Sequence, residues 1–216
     1  MLRPTQHAYL KNSFELGNKL TTLKLPPKAS HFTYDAVSMY TNINTEDDIE
    51  SLTAFLKNQY NKMKFKYSAN TLIDAIKSIM KNNRMKFGDV IVKQIKGIEM
   101  GMSPAPTIAN LFVAIHDDKE LLNFLRTCLL LLQRFIEDGL DIWLHDQYPA
   151  KYEENRKLFK TAVNAGGITW TFTPRLDQVD FMDMTLKIVN RKIETLCLPN
   201  QWPFTCTSLP TPITPL

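Results

Sequence analysis

"RFIEDGLDIW", Arg134–Trp143, sets two acids side by side, Glu137 and Asp138, with a glycine behind them and apolar residues on both flanks. "LLLLQRF" precedes the acids and "LDIWL" follows them. The pattern therefore predicts a β-hairpin that turns at the Asp-Gly step. A hairpin tip of this composition is ordinarily a solvated turn. The alternative is a pair of carboxylates aimed at a metal ion, and the rest of the chain has to decide between them.

Working outward, "HFTYDAV" (His31–Val37) combines aromatic and β-branched residues and reads as a strand ending near Asp35. After it, Thr45 is a candidate helix cap, with Glu46, Asp47 and Asp48 in the first turn and Ile49, Leu52, Phe55 and Leu56 as an apolar stripe. A second helix is expected behind a Ser68 cap, with Leu72, Ile73, Ile76 and Ile79 facing inward. "RMKFGDVIVKQI" predicts a hairpin turning at Gly88-Asp89. A glycine-bearing loop, "GIEMGMSPAP", leads into a helix over about Thr107–Leu122. Beyond the acidic stretch, "KYEENRKLFKTAVNAGG" predicts a helix closed by Gly166, and "ITWTFTP" and "VDFMDMTLKIV" read as strands. Helices mixed with hairpins predict an α+β fold, an antiparallel sheet with helices on one face. Residues 1–30 read as polar and irregular.

The totals bound the function only loosely. The 216 residues suffice for one domain with a core, and a net charge of +4 is compatible with a polyanionic partner without requiring one. Cys128, Cys197 and Cys206 show neither metal nor disulfide spacing, which predicts a reducing compartment. No signal peptide is visible in Met1–Gly17, and "CLLLL" (Cys128–Leu132) is too short to span a bilayer, so an intracellular, non-membrane protein is expected. His116-Asp117 and His145-Asp146 lack a second-ligand spacing for zinc.

Three segments interlock chemically: the lone acid of "DAVSMYTNI" at Asp35, the loop and helix "GIEMGMSPAPTIANLF" (Gly97–Phe112), and the acidic hairpin. Phosphoryl transfer with two Mg²⁺ ions needs carboxylates from different strands converging on a metal pair about 4 Å apart. Mg²⁺ prefers oxygen ligands, and one or two protein carboxylates suffice when phosphates and water complete the shell. Gly97 and Gly101 would let backbone approach a nucleic-acid strand without a Cβ in the way.

"DAVSMYTNI", "KQIKGIEMGMSPAPTIANL" and "RFIEDGLDIW" together resemble, in order and spacing, motifs A, B and C of a reverse transcriptase palm, nearest the Penelope-like group. "VDFMDMTLKI" (Val179–Ile188) resembles the strand that follows in that family, and the likeness runs from about Phe14 to Thr195. The resemblance implies a palm-type sheet with part of the fingers and no thumb, RNA-templated DNA synthesis, two Mg²⁺ ions, and RNA/DNA primer-template and dNTPs as partners. It implies Asp35, Glu137 and Asp138 as metal ligands, Tyr40 beneath the nucleotide sugar, and Gln94, Gly97 and Gly101 on the template and nucleotide side. Lys81, Arg84, Lys86, Lys93 and Lys96 would then contact the phosphate backbone rather than decorate a solvated hairpin edge, and Lys57, Lys62, Lys64 and Lys66 could extend that path past Tyr60 and Phe65.

Three departures from the family pattern bear on activity. Glu137 stands where the pattern has Asp; the extra methylene displaces the carboxylate by about 1.5 Å, and misplacements near 1 Å can cost about a hundredfold in rate. Fingers sequence before motif A is short and a thumb is missing. From about Leu196 the chain carries five prolines and no charge. Read from Pro199 by joining the third base of each codon to the first two of the next, permitted codons spell "KPMALYLYIPPNSNHPP", close to the family's continuation, so a frameshift near Thr195–Cys197 and a disordered tail are expected. The expected organisation is a lead-in with a fingers remnant (1–30), a palm with a fingers segment (31–195) and the tail (196–216). Two functions stay open: a reverse transcriptase palm fragment, or a decayed remnant (or unrelated basic α+β domain) that at most binds nucleic acid weakly.

Overall fold

The computed structural model describes residues 8–60, 66–125, 127–145, 148–174 and 176–198. The expected tail 199–216 lies outside them, as do Lys62, Lys64 and Phe65 of the second basic path.

The centre is a four-stranded antiparallel sheet in the order β4-β5-β1-β6, with β1 Ala29–Ala36, β4 Leu129–Phe135, β5 Asp138–Leu144 and β6 Trp170–Phe172. Alternation along β1 gives the sheet its two faces. Phe32, Tyr34 and Ala36 are buried on one side, with Trp143, Phe159 and Trp170 in the same aromatic core. Helices α2 (Met39–Asn42), α3 (Thr45–Gln59), α4 (Ala69–Lys81), α5 (Ala105–His116) and α6 (Pro149–Asn164) cover that side through Met39, Leu52, Met80, Ile108 and Phe159. Leu140 and Ile142 of β5 point the other way and pack with α1 (Ser13–Thr21) and a second sheet, β7 (Gln178–Phe181), β8 (Met184–Val189) and β9 (Lys192–Cys197). The fold is therefore α+β, as expected, with one helix and a β-meander on the face opposite the main helical layer. A third, two-stranded sheet is the hairpin β2 (Arg84–Phe87) and β3 (Val90–Lys93).

Several local expectations change. Residues 1–30 are not irregular throughout: α1 forms behind Asn12, whose side chain accepts from the Glu15 amide. Asn44, not Thr45, caps α3 by accepting from the Glu46 amide, whereas Ser68 caps α4 through Thr71 as its sequence predicts. "VDFMDMTLKIV" is a hairpin rather than one strand, because Met182 takes φ 56° and reverses the chain between β7 and β8. β9 pairs with β8 as far as Cys197, so the ladder runs through the expected junction at Thr195–Cys197. Cys128 is a free buried thiol, but Cys197 is disulfide-bonded, a pairing that depends on spatial approach rather than on sequence spacing.

Candidate active site

The acidic hairpin does not turn at Asp138-Gly139. β4 ends at Phe135 and β5 begins at Asp138, with Phe135 opposite Asp138, so the two-residue turn is Ile136-Glu137. Ile136 adopts φ 52°, an outlying conformation for a β-branched residue. Gly139 sits inside β5 because Tyr34 lies across from it: a Cβ there would come within 2.3 Å of the tyrosine ring. Local turn chemistry had pointed to Asp-Gly; the close approach of Tyr34 is the reason for the glycine.

That register brings Asp35 directly opposite Asp138. The Ala36 amide donates to the Glu137 carbonyl at 2.9 Å, which makes Asp35–Asp138 a non-hydrogen-bonded pair. At such a rung the Cα atoms of opposed residues come within about 4.5 Å and their side chains approach most closely. Both carboxylates therefore project from the same face. Asp35 is exposed and Asp138 half-buried, and burial, then Asp35, then Glu137 push the Asp138 carboxyl up to about 6. Both line a cleft of about 920 Å³ whose other walls include Thr171, Thr173, Asp180 and Asp183. Asp183 is held from α1 by the Ser13 hydroxyl, which donates to it at 3.1 Å.

Glu137 occupies the turn and is exposed. Among the described residues no three His, Cys, Asp or Glu side chains converge as a metal cluster. The donor set of Asp35 and Asp138 still suits a hard oxygen-seeking cation, for which two carboxylates suffice.

The other expected residues fall into two groups. Ser38, at φ 52°, bends the chain from β1 into α2, which sets half-buried Tyr40 near the acids: burial, then Glu137, raises the Tyr40 phenol above its usual range. The Tyr40 carbonyl accepts from the Ile98 amide at 2.7 Å, and the Gly97 amide donates to the Ile43 carbonyl at 3.0 Å. A Cβ on Gly97 would lie 2.4 Å from the Tyr40 oxygen and 2.9 Å from the Gln94 amide nitrogen. Tyr40, Gln94 and Gly97 thus form one packed group, and the room that Gly97 leaves is filled by the chain itself. Gly101, at φ 98°, faces open space. Lys81, Arg84, Lys86, Lys93 and Lys96 are all exposed. On the hairpin β2–β3, register puts Arg84, Lys86, Ile91 and Lys93 on one face and Met85, Phe87, Val90 and Val92 on the other.

Sequence reasoning gave no role to what lies beneath the acids. Arg134 and Asp117 form a buried ion pair there, beside Tyr34 and the fully buried Asp141. Burial, then the pairing with Asp117, acts on Arg134 in opposite senses, and the pairing wins, so its pKa is raised. Burial holds the Asp141 carboxyl well above the usual range. The arginine was visible within the quoted motif, but nothing in the spacing pointed to Asp117 as its partner.

No protein-family model matches the chain, and no curated protein matches it. Solved structures do. Apo telomerase from Candida tropicalis superposes with a TM-score of 0.68 at 13% identity, over 89% of this chain and 37% of that one. Telomerase from Candida albicans in complex with a fragment of telomeric RNA gives 0.62 at 13% identity, over 88% and 36%. The BmCPV RNA-dependent RNA polymerase at its elongation state gives 0.56 at 14% identity, over 85% and 17%. The fold is polymerase-like. The chain spans less than half the length of the structures it matches. No helix among the described residues is long and apolar enough to cross a membrane.

Proposed function

We propose that the chain is the palm of a reverse transcriptase of the Penelope-like group, with a fingers segment within residues 31–195 and a fingers remnant in 1–30. The observation that carries this is the pairing of Asp35 with Asp138 on one non-hydrogen-bonded rung at the mouth of a cleft, on a polymerase-like fold. Asp35 and Asp138, with Glu137, would hold Mg²⁺, which when bound lowers the pKa of a primer 3′-hydroxyl and offsets charge on the departing pyrophosphate. Tyr40, whose phenol feels the charge of Glu137, would lie beneath the nucleotide sugar. Gln94, Gly97 and Gly101 would shape the template side, the first two by fixing the loop against α2. The basic face of β2–β3, with Lys81 and Lys96, would take phosphates of an RNA/DNA primer-template.

A second reading, a decayed remnant that binds nucleic acid weakly, is favoured by one feature: the turn carboxylate is the longer Glu137, and among the described residues no three such side chains gather as a metal cluster. Primer extension with Mg²⁺ or Mn²⁺ separates the readings. It compares this chain, a version with the tail frame restored, and Glu137→Asp in that background. The polymerase reading expects Glu137→Asp to raise extension at least tenfold and Asp35→Asn to abolish it. Extension untouched by Asp35→Asn would sink the metal assignment. Extension that Glu137→Asp leaves unchanged or lowers would sink the damaged-site reading.

A further inference from the structure

A buried cation lies under the acidic rung, on the far face of the sheet. Arg134 donates through Nε to Asp117 Oδ2 at 2.8 Å and through Nη2 to Asp117 Oδ1 at 2.9 Å, with both side chains 4% exposed. The guanidinium carbon stands 4.3 Å from the Trp170 ring centroid and 5.1 Å from that of Tyr34. Tyr34 covers Gly139 and donates its hydroxyl to Asp141 Oδ1 at 3.3 Å. Asp117 opens a π-helical turn, Asp117–Leu121, at the end of α5. Such turns are rare and frequently mark functional sites.

The register gives the cluster its meaning. Arg134, Gly139 and Tyr34 occupy one rung across β4, β5 and β1, and the next rung holds Phe135, Asp138 and Asp35. Trp170 of β6 pairs with Ala36 on the other side of Asp35. One side chain or backbone site from each of the four strands therefore meets the guanidinium or its stacked tyrosine directly behind the acids. A buried ion pair is poor value as stability alone, because apolar residues of similar volume often do as well or better. Its planar fork does specify geometry, which a point charge would not.

We propose that Arg134, clamped by Asp117, is a positioning residue that keeps Asp35 and Asp138 at cation-binding separation. The proposal rests on reading those two acids as metal ligands. Its test uses the full chain, an Arg134→Met/Asp117→Leu double variant that removes both buried charges together, and Arg134→Lys. Three quantities are measured: the melting temperature, Mn²⁺ affinity by electron paramagnetic resonance, and the Hα–Hα nuclear Overhauser effect between Asp35 and Asp138, which reports the rung directly. The double variant should melt at or above the wild-type temperature, bind Mn²⁺ about tenfold more weakly, and lose intensity in the cross-strand effect. Arg134→Lys should fall between. A folded double variant with wild-type Mn²⁺ affinity and an unchanged cross-strand effect overturns the proposal. Should that variant not fold, an unchanged effect in Arg134→Lys does the same. Absence of Mn²⁺ binding by the wild type would fail the metal reading instead, and the cross-strand effect would still decide the positioning role.

Discussion

Two hairpins with two-residue turns behave in opposite ways. β2–β3 turns at Gly88-Asp89 with Gly88 at φ 60°, as local turn chemistry requires, and every residue of both strands is exposed. β4–β5 turns at Ile136-Glu137 with a β-branched residue at φ 52°, and its strands run through the core. The first follows its sequence because nothing else acts on it. The second bends against its sequence because packing on both faces overrules a conformational cost of about 1–3 kcal/mol. The strained hairpin carries the acids and the relaxed one the basic face.

The largest expected effect breaks this contrast from the packing side. Gly139→Ala should lose about 3 kcal/mol or more, since its methyl meets the buried Tyr34 ring. Gly88→Ala, with nothing nearby, should lose only about 1 kcal/mol for its positive φ. Chemical denaturation compares them, and equal losses would mean that Tyr34 yields. Ile136→Gly tests the strain and should gain about 1 kcal/mol in the same experiment once the φ cost is relieved.

Asp138→Asn sharpens the electrostatic half. The folded carboxyl titrates near 6, above its ordinary value, so between about pH 4 and 6 the folded state holds the extra proton. Wild-type stability therefore falls as pH rises through that window. The asparagine variant should melt higher than wild type at neutral pH and at the same temperature below about pH 4. A melting difference independent of pH would contradict this. At the relaxed hairpin, Lys86→Ala/Lys93→Ala should change stability by under about 0.5 kcal/mol. It should also flatten the salt dependence of single-stranded RNA binding by about 1.4 in log–log slope, measured by fluorescence anisotropy.

The same contrast explains what could be read from the chain. The Gly88-Asp89 turn, the Ser68 cap and the strand ending near Asp35 were legible because each depends on neighbours in sequence. The turn at Ile136-Glu137, the place of Gly139 and the Arg134–Asp117 pair were not. Each depends on a partner on another element: Tyr34 on β1 or Asp117 after α5. The pairing of Asp35 with Asp138 lay between, since the motifs implied convergence but only the ladder fixes which rung they share.

The Leu10 amide donates to the Arg134 carbonyl and the Arg134 amide to the Ala8 carbonyl, so residues 8–10 lie parallel along β4, with Leu10 fully buried. β4 is the outermost strand of the central sheet, and this short strap occupies the outward backbone amide and carbonyl of Arg134. Trimming the chain back to α1 would lengthen the open part of that edge by the Arg134 rung, and the product should self-associate more readily through strand pairing even with every acid of the cleft in place.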